Sequence, residues 1–444
     1  MTGGSPGGGG VRREAGPGDG AQGTNQLIRT LTVTVLLQWM GATAIVPMLP
    51  VYIRRLGGTD ALAGLVMAAF FAAGVLSQYP VGRIADRVGR RPVLIAGLTV
   101  YGLSSFSFLL PISAPAAIGL RAMQGVGAGA ATVAALAMIS SSVAVERRGR
   151  AFASVYGGEL AGMAVGPLVG SILGVRLMWL MFLVSGLLSI GACIPAMWLR
   201  QPGAAGTERP ARPRPEGRGE PLGRVGIHRS TAGALVCGSA LGLTTGVYEI
   251  CWTLLLVSRG ASGLAIGISW TLFAVPFVLV AKPSGWLADH MDRRTLVLGG
   301  IGFSLVLCAS YPFIPSVSAL VALGALEAVG FAAAMPAVQS LLTQGSAPSE
   351  VGRIQGLFGT SQTACTAVAA GGAGAAFALA SWLPFVTVAA AATLGLAAAA
   401  LIWRPVAGRV HRPVPSTGPV LAEALFEPVR APSLEPAGRN RDRP

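Results

Sequence analysis

Long apolar runs recur along the chain, separated by short polar gaps. They lie near 28–52, 61–81, 93–112, 115–142, 151–174 and 177–198, and again near 231–257, 263–285, 295–313, 316–342, 353–378 and 381–403. A helix crossing a bilayer needs ~20 predominantly apolar residues. The pattern therefore predicts an all-α membrane protein of twelve transmembrane helices in two six-helix bundles. The expected organisation is an N-terminal tail, 1–26, a first bundle, 27–198, a polar Arg/Pro-rich linker, 199–230, a second bundle, 231–403, and a C-terminal tail, 404–444. Both tails are Gly/Pro- or Pro/Arg-rich and are expected to be disordered. No apolar stretch precedes Leu27, so no cleavable signal peptide is expected and the first span serves as the membrane address.

The gap after the second run reads Gly82-Arg83-Ile84-Ala85-Asp86-Arg87-Val88-Gly89-Arg90-Arg91. It recurs 203 residues later as Gly285-Trp286-Leu287-Ala288-Asp289-His290-Met291-Asp292-Arg293-Arg294. Gly57 and Gly64 map onto Gly260 and Gly267 at the same offset, and Gly149-Arg150 onto Gly352-Arg353. A fixed offset of this size, carrying a charged hairpin between apolar spans, marks a duplicated bundle.

Composition agrees. The 444 residues are 52% hydrophobic and 11% charged, against about 25% charged in an ordinary soluble protein. The net charge of +15 comes almost wholly from arginine, with Lys282 the single lysine, which reads as genome composition. These arginines occupy gaps and tails, so a nucleic-acid partner is not expected. They crowd the gaps at one side, including Arg147, Arg148 and Arg150, and the linker, while the other side has only Arg54, Arg55, Arg176 and Arg259. By the positive-inside rule both termini and the linker are expected in the cytoplasm, with the chain multi-pass in the cell membrane. The five cysteines fall in apolar runs without metal-binding spacing and read as small core residues. No metal site, nucleotide or cofactor is expected. Gly125-Val126-Gly127-Ala128-Gly129-Ala130 imitates a dinucleotide pattern but lies mid-span with no strand before it.

Ionisable groups inside spans carry the candidate chemistry. An arginine in the apolar layer costs at least ~2.5 kcal/mol unless it meets a cavity or a partner. Arg121 lies about six residues into the fourth span. It cannot release its proton, so it would bind substrate or tune a carboxylate; snorkelling to the interface is the alternative. Glu159, Glu249 and Glu327 also lie within spans, and a desolvated carboxylate can take up a proton near neutral pH. Each is a proton-coupling candidate with Arg121, or a structural hydrogen-bonding group. Through the repeat Glu327 aligns with Gln124 and Glu159 with Gln362, so one copy of each polar position is ionisable. Gln124, Gln362, Trp39, Tyr248, Trp252 and Trp270 are candidates for the wall of a common cavity; helix packing or interfacial anchoring is the competing role for the aromatics. Small residues at four-residue spacing, Gly162, Gly166 and Gly170, allow close helix contact, and Pro167 interrupts the hydrogen-bond ladder. Gly82 and Gly285 are expected to permit close helix approach, and Pro47 and Pro50 to kink the first span.

Three motifs give the chain a family resemblance. The Gly82–Arg91 gap is similar to the Gly-x-Leu-Ala-Asp-x-x-Gly-Arg-Arg loop of the major facilitator superfamily. Arg121-Ala122-Met123-Gln124-Gly125-Val126-Gly127 resembles its Arg-x-x-Gln-Gly-x-Gly motif. Gly162-Met163-Ala164-Val165-Gly166-Pro167-Leu168-Val169-Gly170-Ser171 resembles its Gly-x-x-x-Gly-Pro-x-x-Gly-Gly motif, with Ser171 replacing the last glycine. Over about 28–403 the chain thus resembles the twelve-helix drug:proton antiporter branch. The resemblance implies alternating access, a cytoplasmic gate at Gly82, Asp86, Arg90, Arg91, Gly285, Asp289 and Arg293, and a proton gradient as energy source. It also implies efflux of drugs or antibiotics from a bacterial cell. Simple positive-inside topology would also explain the gate charges. Many family members carry an acid in the first span; here Gln38, Trp39 and Met40 stand there instead.

The leading expectation is proton-coupled export of a small amphipathic organic compound, such as a drug or natural product, by a monomer in the lipid bilayer. A proton-coupled metabolite importer on the same fold, and a non-transporting membrane sensor or interaction protein, remain alternatives. An enzyme is not expected, because no nucleophile–base or metal constellation is visible.

Overall fold

The computed structural model describes residues 17–143, 145–199, 227–346 and 350–404; within its helices, the side chains of 17–22, 145, 146, 149, 175, 277, 278, 281, 282, 285 and 289 lie outside the described set. The described residues contain helices and connecting turns and no strand.

The helices group into twelve consecutive segments, consistent with the twelve spans expected. The first, α1, runs Pro17–Ile45, passes through a 3-10 turn at Val46–Met48 and resumes over Leu49–Arg55. Next come α2 (Asp60–Val88), α3 (Arg90–Ser107), α4 (Ala116–Ser142), α5 (Val145–Leu173) and α6 (Met178–Gly191, continued over Cys193–Met197). In the second half α7 comprises Arg229–Val247, a π segment Tyr248–Trp252 and Thr253–Ser258. Then follow α8 (Gly263–Leu279 and Ala281–His290), α9 (Arg293–Ser310), α10 (Val317–Thr343), α11 (Val351–Leu379) and α12 (Leu383–Trp403). Among the described residues nine of these are long and apolar enough to cross a membrane on length and composition alone. The other three are α3, which opens on two arginines; α5, whose first turns are charged; and α8, which is interrupted before Pro283. Proline there removes an N–H from the ladder. Large apolar side chains stand on the outside, with Leu379 81%, Leu76 76% and Val368 74% exposed. That surface suits lipid and would be untenable in water.

Two expectations need correction. Residues Pro17–Gln26, inside the stretch expected to be disordered, are helical and continue into α1. The polar gap of the first motif is not a hairpin loop. Helix α2 continues to Val88, and a single residue, Gly89 at φ 98°, turns the chain into α3. In the second copy the equivalent residue is Asp292, which stays at φ −62° and caps α9 instead. Its Oδ2 accepts from the Thr295 amide (3.1 Å) and hydroxyl (2.8 Å). The Thr295 hydroxyl bond is the main cause that holds the Asp292 carboxyl below the usual carboxylate range. That cap is present near neutral pH and is lost as pH falls through its lowered value. The two copies thus solve one turn in two ways, by left-handed backbone and by side-chain capping.

Packing shows how the halves are joined. One cluster of buried side chains belongs wholly to α1–α6, including Leu31, Leu94, Leu98 and Ile139. A second belongs wholly to α7–α12, including Leu241, Val297, Ile301 and Leu342. A third draws on both halves, joining Ile45, Leu49, Met67 and Phe182 to Ile250, Leu254, Tyr311 and Phe385. The two lobes therefore have separate cores at the end carrying the Gly89 and Asp292 turns, here called the motif end. They share one core at the opposite end.

The shared end is closed by backbone-close contacts between α2 and α11 and between α5 and α8. A Cβ on Gly374 would lie 1.8 Å from the Asp60 carbonyl oxygen, and one on Gly64 2.6 Å from that of Ala370. In the repeat-related pair, a Cβ on Gly263 would lie 2.5 Å from the Ser171 carbonyl oxygen, and one on Gly267 2.7 Å from the Ser171 Cβ. Gly374 and Ser171 occupy the same place in the two repeats. Thr271 adds a hydrogen bond across the lobes to the Ala164 carbonyl, at 2.8 Å. Toward the motif end the same helices stand apart: nothing lies within 4 Å of a Cβ placed on Gly82, Gly157, Gly352 or Gly356. Gly82 therefore mediates no close approach in this conformation, contrary to expectation.

Within the first lobe α1 lies on the glycine ladder of α5. Cβ atoms on Gly162, Gly166 and Gly170 would come 2.8 Å from Leu36 O, 2.2 Å from Thr43 Oγ1 and 1.8 Å from Ala44 O. In lipid no hydrophobic drive separates helices from solvent, so such small-residue contact carries the association. Overpacking of this kind costs about 1–3 kcal/mol. Gly170→Ala is expected to lower the thermal unfolding midpoint in detergent by several degrees, while Gly82→Ala leaves it unchanged. Equal midpoints would show that the ladder is not under tight contact. Gly374→Val is expected to force the closed end apart, read as thiol labelling of a cysteine placed at Ala370 that is inert in the parent protein.

Candidate functional site

Between the lobes lies a cavity of about 410 Å³. Each wall is set by a local device already described. The 3-10 break of α1 and the glycine ladder bring Trp39, Thr43 and Val46 against α5, which contributes Glu159, Leu160 and Met163. The π segment of α7 turns Tyr248, Glu249 and Trp252 inward, and α10 and α11 supply Glu327 and Gln362. A π segment adds one residue to a helical turn and re-aims the side chains around it, a feature common at functional sites.

Arg121 sits on α4, 1% exposed, and faces the cavity rather than the interface. Its Nη1 donates to Gln124 Oε1 (2.9 Å), its Nη2 reaches Met67 Sδ (3.4 Å), and its guanidinium lies 4.4 Å over the Phe70 ring. Gln124 in turn donates through Nε2 to Ser105 Oγ at 2.8 Å. Gly125 makes this possible: a Cβ there would stand 2.1 Å from the Phe70 carbonyl oxygen, so only glycine lets α2 bring Phe70 under the guanidinium. Arg121 Nε has no hydrogen-bond partner among the described residues. Glu249, across the lobe interface, is within electrostatic reach of Arg121 without a hydrogen bond to it, and Glu249 Oε2 is also buried without a partner. A buried charge beside an unpaired acid stores a large desolvation cost that a proton or a ligand can relieve.

Glu327 is held differently. The Tyr248 hydroxyl donates to Oε1 at 2.8 Å and the Tyr311 hydroxyl to Oε2 at 2.6 Å. Trp252 packs on Tyr311 with ring centroids 5.1 Å apart, and its Nε1 donates to Ser269 Oγ at 3.0 Å. Trp270 Nε1, on the cavity wall, is buried without a partner.

The structure brings Arg121, Glu159, Glu249, Glu327, Trp39, Tyr248, Trp252, Trp270 and Gln362 to one cavity. It does not bring Gln124 there. That side chain is fully buried behind Arg121 and supports it, because α4 turns positions three apart to neighbouring faces and Ser105 of α3 claims its amide. Gln38, in the first span that lacks an acid, is turned to α6, where Ser189 donates to it at 2.6 Å. The four residues of the glycine motif, Gly162, Gly166, Pro167 and Gly170, lie on α5, with Pro167 also at the cavity wall.

The gate candidates are at the open motif end. Asp86 is exposed and, among the described residues, makes no hydrogen bond or ion pair. The second arginine of each copy stays inside its own lobe. Arg91 donates to the Met197 carbonyl at the end of α6, and Arg294 to the Trp403 carbonyl at the end of α12 (2.6 Å). A cation on the last carbonyls of a helix is favourable, so this pair caps the final helix of each lobe. Arg90 follows Gly89 at the start of α3, and Arg293 folds back onto the Ala288 carbonyl at 3.3 Å. The side chains of Gly285 and Asp289 lie outside the described residues.

Several wall residues gave no signal in the sequence. Phe70, Phe71, Tyr156, Phe273 and Phe331 line the cavity, and Tyr311 stands behind Glu327. Aromatics in apolar spans carry no mark that separates cavity from lipid. Tyr311 lies in a 3-10 turn after α9, far in sequence from Tyr248.

Comparison with known proteins agrees with this architecture. The chain is 25% identical over 360 residues to the class D tetracycline resistance protein of Salmonella ordonez, covering 76% of this chain and 86% of that protein. It is also 25% identical over 175 residues to the quinolone resistance protein NorA of Staphylococcus aureus, 39% of this chain and 45% of that one. Among solved structures, the nucleoside transporter NupG superposes with a TM-score of 0.68 at 14% identity, over 86% of this chain and all (100%) of that one. A bacterial homologue of the lysosomal transporter Spinster, solved inward-facing and unoccupied, superposes with a TM-score of 0.66 at 14% identity, over 88% and 97%. The profile of the Major Facilitator Superfamily matches residues 31–254 and 234–434, and the chain belongs to that superfamily, as a multi-pass membrane transporter rather than an enzyme.

Proposed function

We propose that the chain exports a small amphipathic organic compound in exchange for protons, by alternating access of a central cavity. The observation that carries this reading is one cavity holding three carboxylates and an arginine between aromatic walls, closed at one end and parted at the other. Aromatic faces accept flat apolar parts of many compounds, and cations as well. The acids can exchange a proton when the cavity changes the side to which it opens. The similarity to proteins named for tetracycline, chloramphenicol and quinolone resistance supports drug efflux. The arginine-rich motif end is assigned to the cytoplasm by the positive-inside rule, which makes the present conformation inward-open.

Glu249 is the first choice for the coupling acid. Its Oε2 has no protein partner, and Arg121 reaches it only through space. A proton arriving on Glu249 would remove the negative charge that reaches Arg121 across the interface, and a proton leaving would restore it. Coupling in this scheme is a competition between proton, arginine and substrate for one carboxylate.

The test is expression in a pump-deficient, drug-sensitive bacterium, scored across a compound panel with and without a protonophore. Expected is resistance to at least one amphipathic compound that the protonophore abolishes. Glu249→Gln is expected to reduce proton-coupled efflux at least about 10-fold, the equivalent of 1.4 kcal/mol or more in the coupled step. Resistance that survives the protonophore would reject proton antiport. Full activity in Glu159→Gln, Glu249→Gln and Glu327→Gln alike would reject a carboxylate carrier.

A further inference from the structure

Among the described residues, Glu327 is the acid of the cavity with a hydrogen bond to each oxygen. Tyr248 of α7 donates to Oε1 and Tyr311, from the turn after α9, donates to Oε2. The other titratable group facing it is Cys308 of α9, within electrostatic reach. Among the described residues no basic side chain hydrogen-bonds to it. The two tyrosines are not held alike. Tyr311 is fully buried in the shared core, and its turn is tied down by Arg259, whose Nη2 donates to the Pro312 carbonyl at 2.5 Å. Tyr248 begins the π segment, is only partly buried, and is followed directly by Glu249.

We infer that Tyr311 and Tyr248 clamp Glu327 so that its protonation is passed to the π segment of α7, and through it to Glu249. This inference rests on the proton-coupled reading of the cavity. The chemistry is a matter of donors and acceptors. An ionised carboxylate accepts two O–H donors, one on each oxygen. A proton that binds turns one oxygen into a donor, and the tyrosine facing that oxygen must turn its hydroxyl from donor to acceptor, exchanging a charge-assisted hydrogen bond for a weaker neutral one. Tyr311 makes the shorter bond and sits on the tethered turn. The proton is accordingly assigned to Oε1, and Tyr248 is the partner whose hydroxyl turns. The weaker bond loosens the π segment, which also carries Glu249 within electrostatic reach of Arg121. Tyr311 is a positioning residue: it fixes which oxygen is free to take the proton and which tyrosine must move.

Trp252 reports on this clamp, because its ring lies 5.1 Å from Tyr311 and 6.2 Å from Tyr248. The experiment uses the full chain, purified in detergent and without any transported compound. Tryptophan emission is titrated with pH, and the Trp252 contribution is isolated by difference against Trp252→Phe. A single transition is expected in the parent protein, absent in Glu327→Gln. Tyr311→Phe removes a donor that favours the ionised carboxylate, so the midpoint is expected to move up by about one pH unit. Tyr248→Phe is expected to shift the midpoint as well and to shrink the Trp252 signal. A transition that persists in Glu327→Gln, or an unmoved midpoint in a folded Tyr311→Phe protein, would overturn the clamp. Loss of protonophore-sensitive efflux in cells with an intact titration would overturn the antiport reading and leave the clamp standing.

Discussion

An arginine that cannot be deprotonated has to remain charged deep inside a membrane protein, and the rest of the structure is arranged to make that tolerable. Arg121 obtains a neutral amide from Gln124, a soft sulfur from Met67 and the face of Phe70, but no carboxylate in hydrogen-bond contact. Each of these partners depends on a further choice. Gln124 is steadied by Ser105, and Phe70 can approach only because position 125 is glycine. Glu249, the acid within its electrostatic reach, belongs to the other lobe and has a buried oxygen without a partner among the described residues. The charge is thus satisfied well enough to fold and poorly enough to respond to whatever enters the cavity.

Backbone-close helix contact is the second constraint, and it has a direction. At the shared end the lobes meet through Gly64 with Gly374 and through Gly267 with Ser171, two contacts related by the internal repeat. At the motif end the corresponding helices stand apart, and each lobe has its own apolar core. A rigid lobe can rock about such a joint without repacking its interior. Opening the shared end would part the apolar core the lobes have in common there, where Leu49 and Phe182 join Ile250 and Phe385. It would also break the cross-lobe Thr271 hydrogen bond.

Much of the fold was legible in the sequence, because hydropathy and repeats report directly on lipid burial and duplication. Arg121, Glu159, Glu249 and Glu327 stood out for the same reason: charge in an apolar run is costly and therefore conspicuous. Gln124 was misplaced because periodicity gives a residue's face on its helix but not what the neighbouring helix presents there. What the resemblance did not indicate is that Arg91, one of the implied gate residues, caps α6, and that Arg294, its counterpart in the second copy, caps α12, partners far away in sequence. Tyr311 was invisible for that reason too. Its importance comes from meeting Glu327 and Tyr248 in space, and its own surroundings in the chain, Ser310 and Pro312, look like any helix end.

The most direct test of rocking lobes is a pair of distances measured in one protein by pulsed electron spin resonance, with the five native cysteines replaced. Spin labels at the exposed positions Ile84 and Leu357 report the motif end, and labels at Leu110 and Phe313 report the opposite end. On acidification or addition of an exported compound, the Ile84–Leu357 distance should shorten while the Leu110–Phe313 distance lengthens. A change at one end alone, or at neither end in protein that still transports, would contradict alternating access about the Arg121–Glu249 cavity.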